Sequence, residues 1–323
     1  MCIRDSDLSW LAKCSWIPMF AGWSTLAVEI GYAFFIWPRR TRKVWSIATI
    51  GLHLGVGVFM GLVFFSSVMI LLTVCFFLIP EAKAETLSHD FAPLVRRLMA
   101  RDQIPGVAVG VVERGHLVFA RGFGYRNVDD HLPVTPDTLF LLGSCSKTFT
   151  ATAIALLADE GRIALDTPVR TYLPDFSLED PVASATLTPR DLLTHRSGLP
   201  RHDLFWYQAP FSRDDLYGRL RFLEPSGPPH TQWRYNSLMF VVAGRIVEKI
   251  SGESWESFVQ SRILLPLDMR RTLLSPEAME TDADHASPYA VREGGVREIP
   301  MLKDLSAVAP TEAVQTSVRN LAR

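Results

Sequence analysis

Residues 86–323 predict an α+β fold, on two features of their sequence. Two valine-rich segments, GVAVGVV (106–112) and HLVFARGFG (116–124), flank ERG, with Gly115 placed for a tight turn, which is the pattern of a β-hairpin. The residues after this hairpin read as a series of helices, without the strand–helix alternation that builds a parallel sheet. A third feature sets this region apart from the residues that precede it. No charged residue lies between Val44 and Pro80, whereas from Glu81 onward charges recur every few positions.

Each helix has its own warrant. Phe149, Ala153, Leu156 and Leu157 fall at i, i+4, i+7 and i+8, one face of a helix that Gly161 stops. LTPRDLLTHRSGLP (187–200) predicts a short helix begun at Thr188-Pro189 and ended by Ser197-Gly198. Leu238, Val241, Val242, Gly244, Ile246 and Ile250 predict another, closed at Ser251-Gly252.

Residues 1–82 predict a membrane segment. Trp16 to Trp37 is mostly apolar, with Glu29 as its only charge, and PRRTRK (38–43) and the uncharged run come next. At about 1.5 Å per residue, one helix over that run would far exceed a hydrocarbon core of about 30 Å. The segment therefore holds two or three transmembrane helices, the last part being one long tilted span or two short ones joined near Gly55, Gly57 and Gly61. Arg39, Arg40, Arg42 and Lys43 stay cytoplasmic by the positive-inside rule, so one further span exports the rest of the chain and two return it. In a rival reading, a signal-like segment starting at Met60 or Met69 ends in AKA (82–84). The expected location is the membrane, with residues 86–323 outside the cytoplasm.

A net charge of −1 gives no electrostatic reason for a nucleic-acid partner. Cys2, Cys14, Cys75 and Cys145 show no CxxC pair, zinc-like spacing or disulfide framework. There is no HExxH and no Walker A loop, and GFGYRN (122–127) fails as a GxGxxG at its last position, so no metal or organic cofactor is expected. Asp129-Asp130 and Asp214-Asp215 read as solvated loop or helix-start residues.

The chemistry centres on GSCSKTFTA (143–151). A serine hydroxyl needs a neighbouring base to become a nucleophile. Ser144 and Lys147 are three apart, so on a helix the amine can approach the hydroxyl. The positive end of a helix dipole at Ser144 would stabilise developing negative charge, and burial with nearby cations could keep Lys147 transiently neutral. Ser146 is the competing nucleophile, but its i+3 partner is Phe149. A chain this long holds about one S-x-x-K by chance, so a plain helix cap at Ser144 is the alternative. In WRYNSLMFVVAG (233–244), Tyr235 stands just before a helix as a candidate second proton carrier, or as a core residue beside a cap at Asn236 or Ser237.

GSCSKTFTA, LLTHRSGLP and WRYNSLMFVVAG, in that order, resemble the serine β-lactamase-related superfamily of class C β-lactamases, DD-peptidases and esterases. The likeness runs from about Leu87 to the last residue. It implies an antiparallel sheet flanked by helices with a helical lobe, acylation of Ser144, Lys147 as its proton partner and Tyr235 assisting acylation and hydrolysis. His195 is read as structural. Separately, residues 50–72 weakly resemble membrane domains related to vitamin-K-dependent carboxylases.

There are two departures from the family pattern. Tyr-x-Asn is replaced by Tyr235-Asn236-Ser237, so Ser237 takes the substrate-binding place, with weaker contacts to substrate and to Lys147, while Asn236 points elsewhere. The Lys- or His-x-Gly strand that supplies an oxyanion-hole donor has no counterpart after Tyr235, so the sequence is expected to be a truncated reading of a longer hydrolase. The function implied is a membrane-anchored serine hydrolase acting through an acyl-enzyme on a β-lactam, a D-amino-acid peptide or a small ester. The alternatives are a penicillin-binding sensor acylated without turnover, or an inactive fragment.

Overall fold

The computed structural model describes residues 84–323 apart from Lys303. From Leu87 onward the chain forms one compact unit. Among the described residues no helix is long and apolar enough to cross a membrane. The transmembrane helices expected over residues 1–82, the signal-like alternative and the carboxylase-like stretch 50–72 lie outside the described residues.

Helix α1 (Ala84–Asp102) leads into strand β1 (Gly106–Glu113), which turns back into β2 (His116–Asn127). Arg114 and Gly115 both have positive φ, 51° and 78°, the geometry of a two-residue hairpin turn whose twist matches its strands. The short β3 (Leu132–Pro133) pairs antiparallel with β2 and completes a three-stranded sheet. Gly122 is required here, because a Cβ would lie 2.0 Å from the carbonyl oxygen of Val134. Phe119 and Phe123 alternate onto one face of β2 and meet Ala92 and Val95 of α1, forming a small separate core.

The second layer is helical. Strand β4 (Phe140–Leu141) passes through a 3₁₀ turn (Gly143–Ser146) into α2 (Lys147–Asp159). Phe149, Ala153 and Leu157 are buried as predicted, but Ile154 is fully buried while Leu156 is only partly so. The apolar stripe is thus rotated slightly from the one read in the sequence.

Next come α3 (Pro181–Thr186), α4 (Pro189–Leu193), α5 (Asp203–Trp206) and α6 (Arg213–Arg219). Thr188 starts α4 through a capping box with Asp191. The helix ends before Ser197-Gly198, where the sequence placed its stop, because His195 adopts the left-handed conformation at φ 59°. Helix α7 (Leu238–Ser251) closes at Gly252, φ 82°. Leu238 through Gly244, Ile246 and Val247 are all buried, so the first two turns of this helix are enclosed on every side and serve as the axis of the larger core, while Lys249 near its end is exposed.

The remaining elements are α8 (Trp255–Val259), β5 (Thr272–Leu273), α9 (Pro276–Glu280), the hairpin β6 (Tyr289–Arg292) and β7 (Gly295–Glu298), α10 (Ala309–Glu312), β8 (Gln315–Thr316) and α11 (Val318–Leu321). β8 lies between β4 and β5, antiparallel to both. This pairing sets α10, just upstream of β8, beside the turn that opens α2. That juxtaposition makes the site.

Candidate active site

The turn Gly143–Ser146 presents Ser144 and Cys145 to solvent while Ser146 and Lys147 go inward. Ser146 is fully buried, and its Oγ accepts the backbone N–H of Val314 at 2.9 Å. It ties the turn to the segment after α10, so the competing serine is occupied structurally. Ser144 caps nothing. Its hydroxyl receives Lys147 Nζ at 3.0 Å and the Tyr235 hydroxyl at 2.7 Å, and donates to Glu312 Oε1 at 3.1 Å.

Lys147 is buried at 6 % exposure, unusual for lysine unless paired. Its Nζ lies 5.1 Å from the centre of the Tyr235 ring and 5.8 Å from that of Phe240. The charge that meets it is negative: Glu312 Oε1 accepts from Nζ at 3.0 Å. Sequence reasoning looked for cations around this lysine and found the motif without its carboxylate.

Tyr235 is held from behind. The backbone N–H groups of Arg234 and Asn236 donate to the His195 carbonyl (2.8 Å) and to His195 Nδ1 (3.2 Å). The imidazole sits 4.5 Å from the Tyr235 ring, centre to centre. Asn236 turns away, its Nδ2 donating to the Pro200 carbonyl and its Oδ1 accepting from Met239 N. Ser237 is almost fully buried, and its hydroxyl donates to Glu312 Oε1 at 3.2 Å. Ser144, Lys147 and Ser237 therefore meet on one carboxylate, and Tyr235, the fourth sequence candidate, joins them through the Ser144 hydroxyl.

Two neighbours escaped the sequence reading. Arg201 stacks its guanidinium 5.1 Å from the Tyr235 ring centre while pairing with Asp203. Glu312 had one local signal: it is the lone charge in the apolar run SAVAPTEAVQ (306–315). An isolated carboxylate in such a run is either strongly solvated or specifically paired.

His195 has a pH consequence. Burial first, and then the positive charge of Lys147, hold its imidazole below the ordinary value of 6.5. The unfolded chain thus takes up this proton before the folded one. Stability is whole above about pH 6.5 and falls as the pH drops through the depressed folded value. Melting temperature against pH is expected to decline below 6.5 less steeply in His195→Asn, which keeps a residue tolerant of positive φ. An unchanged slope would show that His195 does not contribute.

Residues 91–323 match the family model described as Beta-lactamase. The chain belongs to the beta-lactamase family. This is a family of serine hydrolases, and the α+β fold is shared with penicillin-binding proteins. The unguisins hydrolase ungD′ of Aspergillus campestris is 32% identical over 255 residues, covering 75% of this chain and 47% of its own length. The octameric penicillin-binding protein homologue from Pyrococcus abyssi superposes with a TM-score of 0.65 at 30% identity, over 73% of this chain and 55% of that one. A class C beta lactamase from Rhodobacter sphaeroides gives 0.58 at 29% identity, over 71% and 62%. The chain spans about half the length of the curated relatives it matches.

Proposed function

We propose that this chain is a hydrolase that works through an acyl-enzyme on Ser144, with Lys147 and Tyr235 managing protons. The observation that carries this reading is the convergence of Lys147 Nζ at 3.0 Å and the Tyr235 hydroxyl at 2.7 Å on one exposed serine oxygen. A buried amine and a phenol aimed at the same hydroxyl can stabilise the charge that develops on it and deliver a proton to a leaving group. Acyl donors that fit the family are a β-lactam, a D-amino-acid peptide or a small ester. Relatives named as a hydrolase, a penicillin-binding protein and a beta lactamase support that range.

The test is intact-mass detection of an adduct together with burst kinetics on a fluorogenic ester. Stoichiometric acylation followed by steady turnover, both absent in Ser144→Ala, is the expected result. A burst without turnover identifies a sensor that is acylated once. No adduct on the parent chain overturns both readings.

Residues 1–82 are proposed as a membrane anchor that places the hydrolase domain, residues 86–323, outside the cytoplasm. The uncharged run 44–80 and the basic cluster Arg39, Arg40, Arg42 and Lys43 support this. A reporter active only outside the cytoplasm, fused after Arg323, is expected to give signal. Its silence would sink the export reading.

A further inference from the structure

The hydrogen-bond directions at Ser144 leave one question open: where its own proton goes. Lys147 Nζ has three acceptors, Ser144 Oγ at 3.0 Å, Glu312 Oε1 at 3.0 Å and the Thr311 carbonyl at 3.4 Å. As an ammonium, Lys147 meets one acceptor with each of its three hydrogens and has no lone pair with which to receive a proton. Tyr235 also arrives as a donor. Among the described residues, the acceptor for the Ser144 hydroxyl is the Glu312 carboxylate, at 3.1 Å to Oε1 and 3.4 Å to Oε2.

That carboxylate is built in. Its Oε1 also accepts from the hydroxyls of Ser237 at 3.2 Å and Thr311 at 2.9 Å, and its side chain is only 13% exposed. Thr311 and Ser237 thus help to hold this oxygen in place. Oε2 has the long contact to Ser144 and stands 3.6 Å from where a Cβ on Gly143 would be, on the side of the nucleophile.

Resting on the acyl-enzyme reading above, we infer that Glu312 is the general base of acylation. Lys147 is then the acid that the base later recharges. As Ser144 Oγ bonds to the acyl carbon, its proton passes to Glu312 and the carbonyl π pair moves onto the carbonyl oxygen. When that pair returns, the bond to the leaving nitrogen or oxygen breaks, and the leaving atom takes a proton from the Lys147 ammonium. Glu312 then returns its proton to the Lys147 amine across the 3.0 Å contact, restoring the starting pair. Tyr235 remains a donor to Oγ throughout, and no further reactant is needed.

Glutamine at 312 keeps the shape and the accepting oxygen but cannot take the proton. In the full chain, Glu312→Gln is expected to slow adduct formation on Ser144 by about 10²- to 10⁴-fold, with the melting curve showing a folded protein. Glu312→Ala is expected to regain rate in proportion to added formate, a small carboxylate able to enter the vacated space; a purely structural role would give no such dependence. A Glu312→Gln chain that acylates at the parent's rate overturns the inference, and so does a Glu312→Ala rate flat in formate. Failure of the parent itself to form an adduct strikes instead at the acyl-enzyme reading.

Discussion

Lys147→Ala is expected to lose both activity and stability, and the stability loss is the more diagnostic. Removing the amine deletes one of two donors to Ser144 Oγ and, in the proposed mechanism, the proton source for the leaving group, so the rate of acylation should fall by about 10³-fold or more. It also strands Glu312, whose carboxylate is 13% exposed and pairs with Lys147 at 3.0 Å. Breaking a buried pair by deleting one partner costs about 3–5 kcal/mol, because the other charge stays buried. The hydroxyls of Ser144, Ser237 and Thr311 still donate to Glu312, which places the expected loss near the lower end, about 3 kcal/mol. For a domain of this size that is roughly 6–12 °C in melting temperature. The double variant Lys147→Ala with Glu312→Ala removes the stranded charge and should melt higher than Lys147→Ala alone. A single variant as stable as the parent, or a double variant less stable than the single, would show that the two groups are not energetically coupled.

The site divides cleanly into what local sequence could and could not reveal. Ser144 and Lys147 were legible because three-residue spacing at a helix start is a local geometric fact. Tyr235 was legible because it precedes a helix whose apolar pattern and Gly252 stop are unmistakable. Glu312 meets Lys147 across 165 residues, and no periodicity encodes that contact. It exists because β8 pairs with both β4 and β5, and each of these strands is only two residues long. Two residues are too few to show alternation, so the sheet that delivers the carboxylate left no trace in the pattern. The hairpin β1–β2, with eight and twelve residues, left a clear one. His195 shows a third case. Its left-handed backbone ends α4 early, and histidine gives weaker warning of that conformation than glycine or asparagine.

Trp255→Ala is expected to be the most destabilising change in the larger core, and its effect should reach Ser144. The indole is fully buried, and truncating a core tryptophan costs about 3–5 kcal/mol through lost burial and the cavity left behind. Its Nε1 donates to Thr150 Oγ1 at 2.9 Å, and that hydroxyl donates to the Pro310 carbonyl at 2.6 Å. Thr150 is one helical turn beyond Lys147, and Pro310 is two residues before Glu312, so this chain of bonds fixes the distance between amine and carboxylate. Gly244 of α7 completes the seat: a Cβ there would fall 2.5 Å from Pro310 Cγ, closer than any real contact. Two substitutions separate the packing role of Trp255 from its positioning role. Trp255→Phe retains most of the volume and deletes the indole donor, and should cost about 1–3 kcal/mol. Gly244→Ala leaves Trp255 intact but displaces Pro310, at about 1–3 kcal/mol for an overpacked contact. Both should slow acylation of Ser144 more than their modest stability losses explain, because both move Glu312 relative to Lys147. Acylation at the parent's rate in a folded Gly244→Ala chain would mean that α10 can shift without disturbing the pair, and the placement of Pro310 would then be a matter of core packing alone.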